Sequence, residues 1–191
     1  LSETRLSWEQ NCHKILDYRN YAGSINYCNI EIKIMKKLVV LGGGISGIGA
    51  ALLAKKNGYD VFISDKGVIS EKEVLIKNNI KWEEGIHSDE EIMTASEVVK
   101  SPGISDSIDI IKRIKKKGIS VISEVEFAYR FTNAKIIAIT GTNGKTTTTL
   151  LVGHILEKEG YDVLVAGNIG TGFSKSIYER DYDYIVLEIS S

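Results

Sequence analysis

Short apolar runs alternate with segments of helical periodicity along most of this chain. The apolar runs predict strands at residues 38–41, 60–64, 97–100, 119–123, 135–139, 162–166 and 184–187. Apolar residues recur at helical spacing in residues 45–57, 70–79, 107–117 and 146–159. Because strands that alternate with helices in this way build parallel sheets covered by helices, the pattern predicts an α/β fold.

Glycines and polar residues at the segment ends set the expected helix limits. Gly58, Gly118 and Gly160 each follow a helical segment, as helix-terminating glycines do. Ser70 and Glu73 have the spacing of a capping box, which predicts a helix start there. The basic side chains of the third helical segment lie off its apolar face, so we interpret them as a solvated surface: Lys112, Arg113, Lys115, Lys116 and Lys117.

The composition argues against several classes of protein. With 191 residues, 43% of them hydrophobic, and a net charge of −1, the chain suits one or two globular domains and has no basic field for nucleic acid. No apolar run approaches the ~18 residues of a membrane span, and no signal peptide is recognisable. The two cysteines, Cys12 and Cys28, match no metal-binding spacing. We therefore expect a cytoplasmic protein without nucleic acid, a membrane span, zinc or a disulfide scaffold.

Residues 1–34 differ from the rest of the chain. They lack an initiator methionine, contain both cysteines and precede Met35, which has the character of a natural start. We interpret this leader as non-native or disordered, with a genuine N-terminal extension as the competing interpretation. The strand–helix rhythm then restarts at residue 135. This predicts a first domain at 35–131 and the beginning of a second, incomplete domain at 132–191.

The motif TGTNGKT at residues 140–146 follows an apolar strand and opens a helix. Glycines and small residues let backbone N–H groups close around phosphate, and the helix N-terminus adds positive potential. Lys145 is placed to reach the terminal phosphates and Thr146 to hold Mg²⁺. Ile139 occupies the position of the first glycine in the common P-loop pattern, so the loop is a variant. It predicts a nucleoside triphosphate site, with an ordinary glycine-rich turn as the alternative.

A second glycine-rich turn lies near the start of the predicted first domain. Gly42, Gly44 and Gly47 have GxGxxG spacing between a predicted strand and helix, and Asp65 ends the next strand. In dinucleotide-binding folds such glycines allow close approach to a diphosphate, and the carboxylate binds a hydroxyl or N–H group. The turn alone fits NAD, FAD or a nucleotide-diphospho-sugar.

Glu188 ends the last apolar strand, as the acidic residue of a Walker B motif does. In the order loop, helix, strand, acid, the loop and the acid meet at the carboxyl ends of neighbouring parallel strands. We therefore expect Glu188 to lie opposite Thr146 and to share a Mg²⁺ ion with it. The alternative is a surface glutamate at a strand end.

Six motifs, in this order, resemble those of the Mur ligases: GGGISG, ISDK, SPG, ITGTNGKTTTT, AGNIG and LEISS. The resemblance covers residues 35–191 and is greatest to the D-glutamate-adding members, because the L-alanine-adding members typically have histidine in place of Asn143 and an acidic stretch in place of LEISS. It implies a Rossmann-like N-terminal domain that binds a uridine nucleotide. The truncated start of a P-loop α/β domain, which binds ATP and Mg²⁺, would follow it.

The resemblance also implies a role for each matching residue. The residues expected to bind ATP are Gly141, Thr142, Asn143, Gly144, Lys145, Thr146 and Thr147. Those expected at the metal are Thr146 and Glu188, which with Lys145 form the implied catalytic set. Those expected to bind the substrate are Ile45, Ser46 and Gly47 at the diphosphate, Asp65 and Lys66 at uracil, Ser101 and Gly103 along the nucleotide and sugar, and Asn168 and Ser190 at the muramoyl-alanine part.

The implied activity is ATP-dependent amide formation in peptidoglycan precursor synthesis, in which D-glutamate reacts with an acyl phosphate of UDP-N-acetylmuramoyl-L-alanine. The family also uses downstream residues and a third domain, so the resemblance implies a monomeric full-length ligase and no activity for this chain alone. The alternatives are an L-alanine-adding Mur ligase, a folylpolyglutamate-type ligase, or a non-catalytic module that binds a nucleotide such as NAD. His87 and His154 match no motif, and we interpret them as structural or surface residues.

Overall fold

The computed structural model describes residues 35–170 and 172–190 of the chain. The predictions made for residues 1–34, including those for Cys12 and Cys28, lie outside the described residues.

The first half of the described chain forms a five-stranded parallel sheet. Its strands lie in the order β3-β2-β1-β4-β5 and comprise β1 (Lys37–Leu41), β2 (Asp60–Asp65), β3 (Lys81–Glu84), β4 (Glu97–Lys100) and β5 (Ser120–Ser123). The helices that connect or follow them are α1 (Ile45–Lys56), α2 (Lys72–Lys77), α3 (Asp89–Ile92), α4 (Asp109–Lys116) and α5 (Glu124–Tyr129).

The second half forms a three-stranded parallel sheet in the order β6-β8-β7. Its elements are β6 (Lys135–Ile139), α6 (Lys145–Lys158), β7 (Val163–Gly167), α7 (Phe173–Glu179) and β8 (Tyr184–Glu188). The parallel α/β fold that the hydrophobic pattern predicts is therefore confirmed.

Strand β1 lies at the centre of the first sheet and is buried on both faces. Leu38 and Val40 pack on the face covered by α1, whereas Val39 and Leu41 pack on the face covered by α4. All four side chains are fully buried, and each contributes about 1.5–3 kcal/mol of hydrophobic stabilisation. The uninterrupted apolar run in the sequence has this physical origin, because neither face of the strand meets water.

One hydrophobic cluster joins the two sheets through α7. Phe173 and Ile177 of α7 are buried in the same cluster as the α1 residues and the strand residues Ile185 and Leu187. The contact between the two helices is close, because a Cβ atom added to Gly49 would lie 2.7 Å from the backbone nitrogen of Lys175. A side chain at position 49 would therefore push α7 away from α1.

The predicted capping box is wrong. Helix α2 begins at Lys72, its N-cap residue is Glu71, and no side chain caps it. Ser70 is exposed, whereas the neighbouring Ile69 is buried and donates its N–H to the Glu84 carboxylate. Contacts to the sheet, rather than a local cap, therefore fix the start of this helix.

Four short elements are absent from the sequence-based prediction: β3, α3, α5 and α7. Helix α5 lies just before the predicted domain limit at residue 131, and its Phe127 packs edge-on against Tyr59 at 5.9 Å between ring centroids. Short elements of this kind depend on tertiary packing more than on their own periodicity.

Candidate nucleotide-binding site

The glycine turn between β1 and α1 is held in close contact with the helix that follows it. Gly42 has a φ of +96°, a conformation that glycine adopts readily, and its N–H donates to the Ser64 carbonyl at 2.9 Å. A Cβ atom on Gly47 would lie 1.8 Å from the Gly42 carbonyl oxygen, whereas one on Gly44 would meet nothing within 4 Å. The first turn of α1, with Ile45 and Ser46, is thus presented at an open surface.

Asp65 connects the end of β2 to this glycine turn. One carboxylate oxygen accepts the N–H of Gly43, and the other accepts the N–H of Gly67 at 2.7 Å. The carboxylate therefore fixes the turn, and Lys66 beside it is exposed. The sequence predicts that Asp65 contacts a nucleotide; the structure shows its carboxylate bound to the N–H groups of Gly43 and Gly67.

Ser101 packs beneath the same turn. Its N–H donates to the Leu41 carbonyl at 2.9 Å, and a Cβ atom on Gly42 would lie 2.5 Å from its hydroxyl oxygen. Ser101 is partly buried, whereas Gly103 is exposed with open space around it. The structure thus brings Ser101 to the glycine turn and leaves Gly103 at the surface.

The phosphate loop joins β6 to the 14-residue helix α6. Gly141 and Gly144 have φ values of +147° and +74°, so both need the conformational freedom of glycine. The Lys145 ammonium donates to the Gly141 carbonyl at 2.6 Å and therefore folds back across the loop. Asn143 and the neighbouring Thr142 are exposed. The loop has the shape of an anion cradle at a helix N-terminus.

Thr146 and Glu188 meet at the carboxyl ends of neighbouring strands. Strands β6 and β8 pair directly, with Ile139 opposite Glu188. The Thr146 hydroxyl donates to the Glu188 carboxylate at 2.8 Å, and the Glu188 side chain is buried. A hydroxyl and a carboxylate are hard oxygen ligands of the type that Mg²⁺ prefers, so this pair fits a magnesium ion.

Residues that follow β7 contact two other parts of the fold. At one end the Asn168 N–H donates to the Glu188 carbonyl at 3.1 Å. At the other end a Cβ atom on Gly172 would lie 3.4 Å from Ile45 and 3.5 Å from the Cα atom of Ser46. Asn168 therefore contacts the end of β8, and Gly172 contacts the start of α1. Asn168 and Ser190 are both exposed at this edge.

The structure shows one buried carboxylate and one partly buried polar cluster whose contacts the sequence does not predict. Glu124 is only 4% exposed, and its carboxylate accepts the N–H of Ser174 at the start of α7. Burial raises the pKa of Glu124, although the hydrogen bonds from Ser174 oppose this shift. No pattern in the sequence indicates this contact, because it joins residues 50 positions apart through two unpredicted helices.

The second group is a cluster of Ser64, Glu83 and His87. Ser64 lies opposite Glu83 in the β2–β3 ladder and donates its hydroxyl proton to that carboxylate at 2.6 Å. His87 Nδ1 lies 2.6 Å from the same hydroxyl oxygen. The side chains meet only because β3 pairs with β2, and the sequence pattern did not predict β3. His87 thus takes part in a hydrogen-bonded cluster, which agrees with its interpretation as a structural residue.

No helix among residues 35–170 and 172–190 combines the length and hydrophobicity needed to cross a membrane. Within the same residues, no group of three or more histidine, cysteine, aspartate or glutamate side chains has the arrangement of a metal site.

Comparison with known proteins identifies related sequences and folds. Residues 36–123 match the family description "Mur ligase MurD-like, N-terminal domain", and residues 139–191 match "Mur ligase middle domain". The UDP-N-acetylmuramoylalanine–D-glutamate ligase of Christiangramia forsetii is 53% identical over 158 residues, which are 82% of this chain and 36% of that ligase. The ligase of the same name from Bacteroides fragilis is 51% identical, with the same shares covered.

Solved structures have the same fold. A pseudomurein peptide ligase type C from Methanothermus fervidus superimposes with a TM-score of 0.50 at 28% identity, covering 82% of this chain and 33% of that one. The UDP-N-acetylmuramate–alanine ligase from Thermotoga maritima also gives a TM-score of 0.50, at 25% identity, covering 82% of this chain and 37% of that one. The chain thus spans a little over a third of the length of the curated relatives it matches.

The parallel sheets and their covering helices define an α/β protein with a glycine-rich turn before α1 and a second before α6. The two family matches lie one on each sheet and together cover most of the described residues. The chain belongs to the Mur ligase family, as its motifs suggest.

Proposed function

We propose that this chain contributes to an ATP-dependent ligase that adds D-glutamate to UDP-N-acetylmuramoyl-L-alanine. The observation that carries the proposal is the packing of two residues between β7 and α7: Asn168 donates its N–H to the carbonyl of Glu188, whose side chain holds Thr146, and Gly172 packs against Ile45 at the start of α1. Such an arrangement suits a ligase, because a phosphoryl donor and an acceptor must bind side by side. The names of the curated relatives supply the choice of substrates.

The phosphate loop is proposed to bind ATP. Its backbone N–H groups and the N-terminus of α6 would bind the phosphates, and Lys145 would turn from the Gly141 carbonyl towards the terminal phosphate. The remaining proposed ATP contacts are Thr142, Asn143, Gly144 and Thr147. A Mg²⁺ ion held by Thr146 and Glu188 would neutralise negative charge on the phosphates.

The glycine turn is proposed to bind the diphosphate of the acceptor substrate. Ile45, Ser46 and Gly47 form the first turn of a 12-residue helix whose N-cap residue is an exposed glycine. The helix N-terminus would stabilise the negative charge there. Asp65 and Lys66 would lie towards uracil, Ser101 and Gly103 along the nucleotide, and Asn168 and Ser190 towards the muramoyl-alanine part.

The proposed reaction has two steps. The carboxylate of the muramoyl-alanine substrate attacks the γ-phosphorus of ATP, which releases ADP and leaves an acyl phosphate. The amine of D-glutamate then attacks the acyl carbon, and inorganic phosphate departs as the amide forms. The part of this chemistry assigned to the present residues is charge stabilisation by Lys145 and by the Thr146–Glu188 pair, which is the main source of catalysis in phosphoryl transfer.

The remaining expectations of the sequence also stand as proposals. Domain limits at 35–131 and 132–191, cytoplasmic localisation and a monomeric full-length ligase are consistent with the family. They can be tested by limited proteolysis, cell fractionation and sedimentation.

Two measurements test the proposed function. The natural gene product, purified from its own cells, should release phosphate from ATP only when both UDP-N-acetylmuramoyl-L-alanine and D-glutamate are present. The 191-residue chain should bind UDP-N-acetylmuramoyl-L-alanine in calorimetric titrations. Release that follows L-alanine addition to UDP-N-acetylmuramate would instead indicate the L-alanine-adding ligase. Preferential binding of NAD would indicate a non-catalytic nucleotide-binding module.

A further inference from the structure

The cluster of Ser64, Glu83 and His87 has a defined arrangement of protons. Ser64 has one hydroxyl proton, and the Glu83 carboxylate at 2.6 Å is its strongest neighbouring acceptor. The Ser88 N–H donates to the same Glu83 oxygen at 2.8 Å. Because the Ser64 proton is committed to Glu83, the short contact to His87 requires Nδ1–H to donate to the Ser64 oxygen.

This arrangement fixes the neutral tautomer of His87. With the proton on Nδ1, the other ring nitrogen, Nε2, has a free lone pair and acts as a hydrogen-bond acceptor. Nε2 makes no hydrogen bond to any residue in the described ranges. Glu83 and Ser64 therefore present His87 as a base that accepts an N–H donor.

His87 lines a cavity of about 250 Å³ at the carboxyl edge of the first sheet. Lys66 and the first turn of α4 also line this cavity. Lys66, which lines the cavity, directly follows Asp65, whose carboxylate accepts the N–H of Gly43 in the glycine turn.

The charges around the cavity favour a polar, neutral ligand with carbonyl groups. Arg113 on α4 forms ion pairs with Asp89 of α3 and with Asp109, so its charge is largely compensated. The Lys66 ammonium makes no hydrogen bond or ion pair to the described residues and is exposed. Judged by the residues that the structure describes, the cavity thus offers one cation without an ion-pair partner and one neutral acceptor.

We propose that Nε2 of His87 accepts the N3–H of a uracil base in this cavity and selects uracil over cytosine. A uracil ring has an N–H group between two carbonyl groups, so one carbonyl oxygen would lie near Lys66. Cytosine has a lone pair at N3 instead of a proton, and two facing lone pairs repel. The inference rests on the proposed function, because it assigns the base of the same uridine nucleotide.

The electrostatic surroundings keep His87 in the accepting form near neutral pH. Partial burial and then the positive charge of Lys66 lower the pKa of His87, although Glu83 and Asp65 act in the opposite direction. Burial alone would raise the pKa of Glu83, but the hydrogen bonds from Ser64 and Ser88 outweigh it and lower the pKa. Glu83 is therefore ionised, and His87 neutral, over the physiological range.

Competition between UDP and CDP tests this assignment. Calorimetric titrations of the 191-residue chain would be made at pH 7.5 with a non-hydrolysable ATP analogue present to occupy the phosphate loop. The unmodified chain should bind UDP more tightly than CDP by about tenfold. This is the difference expected when the uracil N3–H forms a hydrogen bond to His87 and the cytosine N3 leaves His87 unpaired. His87→Leu should abolish this preference, whereas the matched control His154→Leu, at an exposed position of α6, should retain it.

A pH series on the unmodified chain keeps the test independent of any variant. As His87 becomes protonated at acidic pH, Nε2 changes from acceptor to donor, so UDP should lose affinity while CDP gains it. Imidazole ¹⁵N shifts should identify the Nδ1–H tautomer and a change at Nε2 on addition of UDP. A preference for UDP that persists in His87→Leu, or that does not change with pH, would overturn the assignment.

The outcomes also separate this assignment from the proposed function. Uracil selectivity without D-glutamate-dependent phosphate release would support His87 and contradict the ligase activity. Ligase activity together with an unaltered UDP preference in His87→Leu would support the proposed function and contradict the assignment of His87. If the unmodified chain binds no UDP, the His87 assignment fails, whereas the proposed ligase activity is decided by phosphate release from the natural gene product.

Discussion

Replacement of Gly47 by alanine should disrupt the packing between the glycine turn and α1 and destabilise the protein. The new Cβ atom would lie 1.8 Å from the Gly42 carbonyl oxygen, whereas real Cβ atoms essentially never approach within 3.0 Å. The Cβ atom is attached directly to the backbone of residue 47, and the oxygen belongs to the backbone of Gly42, so no side-chain rotation relieves the overlap. The start of α1 must instead move by about 1.2 Å, the difference between these two distances.

That movement would disturb a helix whose residues from Gly47 to Ala54 are all buried. Overpacking in well-packed interiors destabilises by about 1–3 kcal/mol, and a backbone clash belongs at the upper end. We therefore expect Gly47→Ala to lower the free energy of unfolding by about 3 kcal/mol. With a urea m-value of about 1–3 kcal/mol/M, the unfolding midpoint should fall by at least about 1 M.

Gly44→Ala is the matched control, since it lies in the same motif and its Cβ atom would meet nothing within 4 Å. Its φ of −79° is accessible to alanine, so the midpoint should change by less than about a third of the Gly47→Ala effect. Urea unfolding followed by far-ultraviolet circular dichroism measures both. Equal midpoints for the two variants would refute the reasoning, because the turn would then be free to relax.

Three further predictions concern the phosphate loop and the contact between the sheets. Thr146→Ala should reduce the Mg²⁺-dependent gain in ATP affinity by about tenfold in calorimetric titrations, because Glu188 loses its partner, whereas the exposed Thr148→Ala should not. An unchanged Mg²⁺ effect in Thr146→Ala would contradict the metal assignment. Because burial raises the pKa of Glu124, the folded state holds its proton more tightly than the unfolded state. The unmodified chain should therefore lose stability, relative to Glu124→Gln, as the pH rises from the ordinary carboxyl pKa through the raised pKa of Glu124. If the urea midpoints of the two proteins change with pH in the same way, this expectation is wrong. Gly49→Ala should destabilise by about 1–3 kcal/mol in the same assay, because its Cβ atom would lie 2.7 Å from the backbone of α7; a neutral effect would show that the helices can separate.

The long apolar runs allowed most of the fold to be predicted. Strands β4 and β6 have the predicted limits, and β1 is buried on both faces as its uninterrupted run indicates. The short elements could not be predicted in this way, because β3 and α7 draw their stability from neighbours distant in sequence. The Ser70–Glu73 pattern misled for the same reason: the buried Ile69 anchors the chain ahead of α2.

The candidate site was predictable where its residues lie in recognisable motifs at strand ends. The contact between Thr146 and Glu188 follows from strand order, since parallel strands end at one edge of the sheet. The contact between Glu83 and Ser64 was not predictable, because it depends on the register of a strand with little apolar patterning. A histidine outside every motif gives no indication of its tautomer until its hydrogen-bond partners are known.

The turn after β7 has consequences for which insertions the chain tolerates. Surface loops usually accept extra residues at small cost in free energy, because only closure entropy changes. This turn is fixed at both ends: a Cβ atom on Gly167 would lie 2.1 Å from the Glu188 carbonyl oxygen, and one on Gly172 would touch Ile45. An inserted residue would therefore have to displace either β8 or α1. Variation in length among related sequences should accordingly fall in other connections, such as the one between α7 and β8, and leave this segment at constant length.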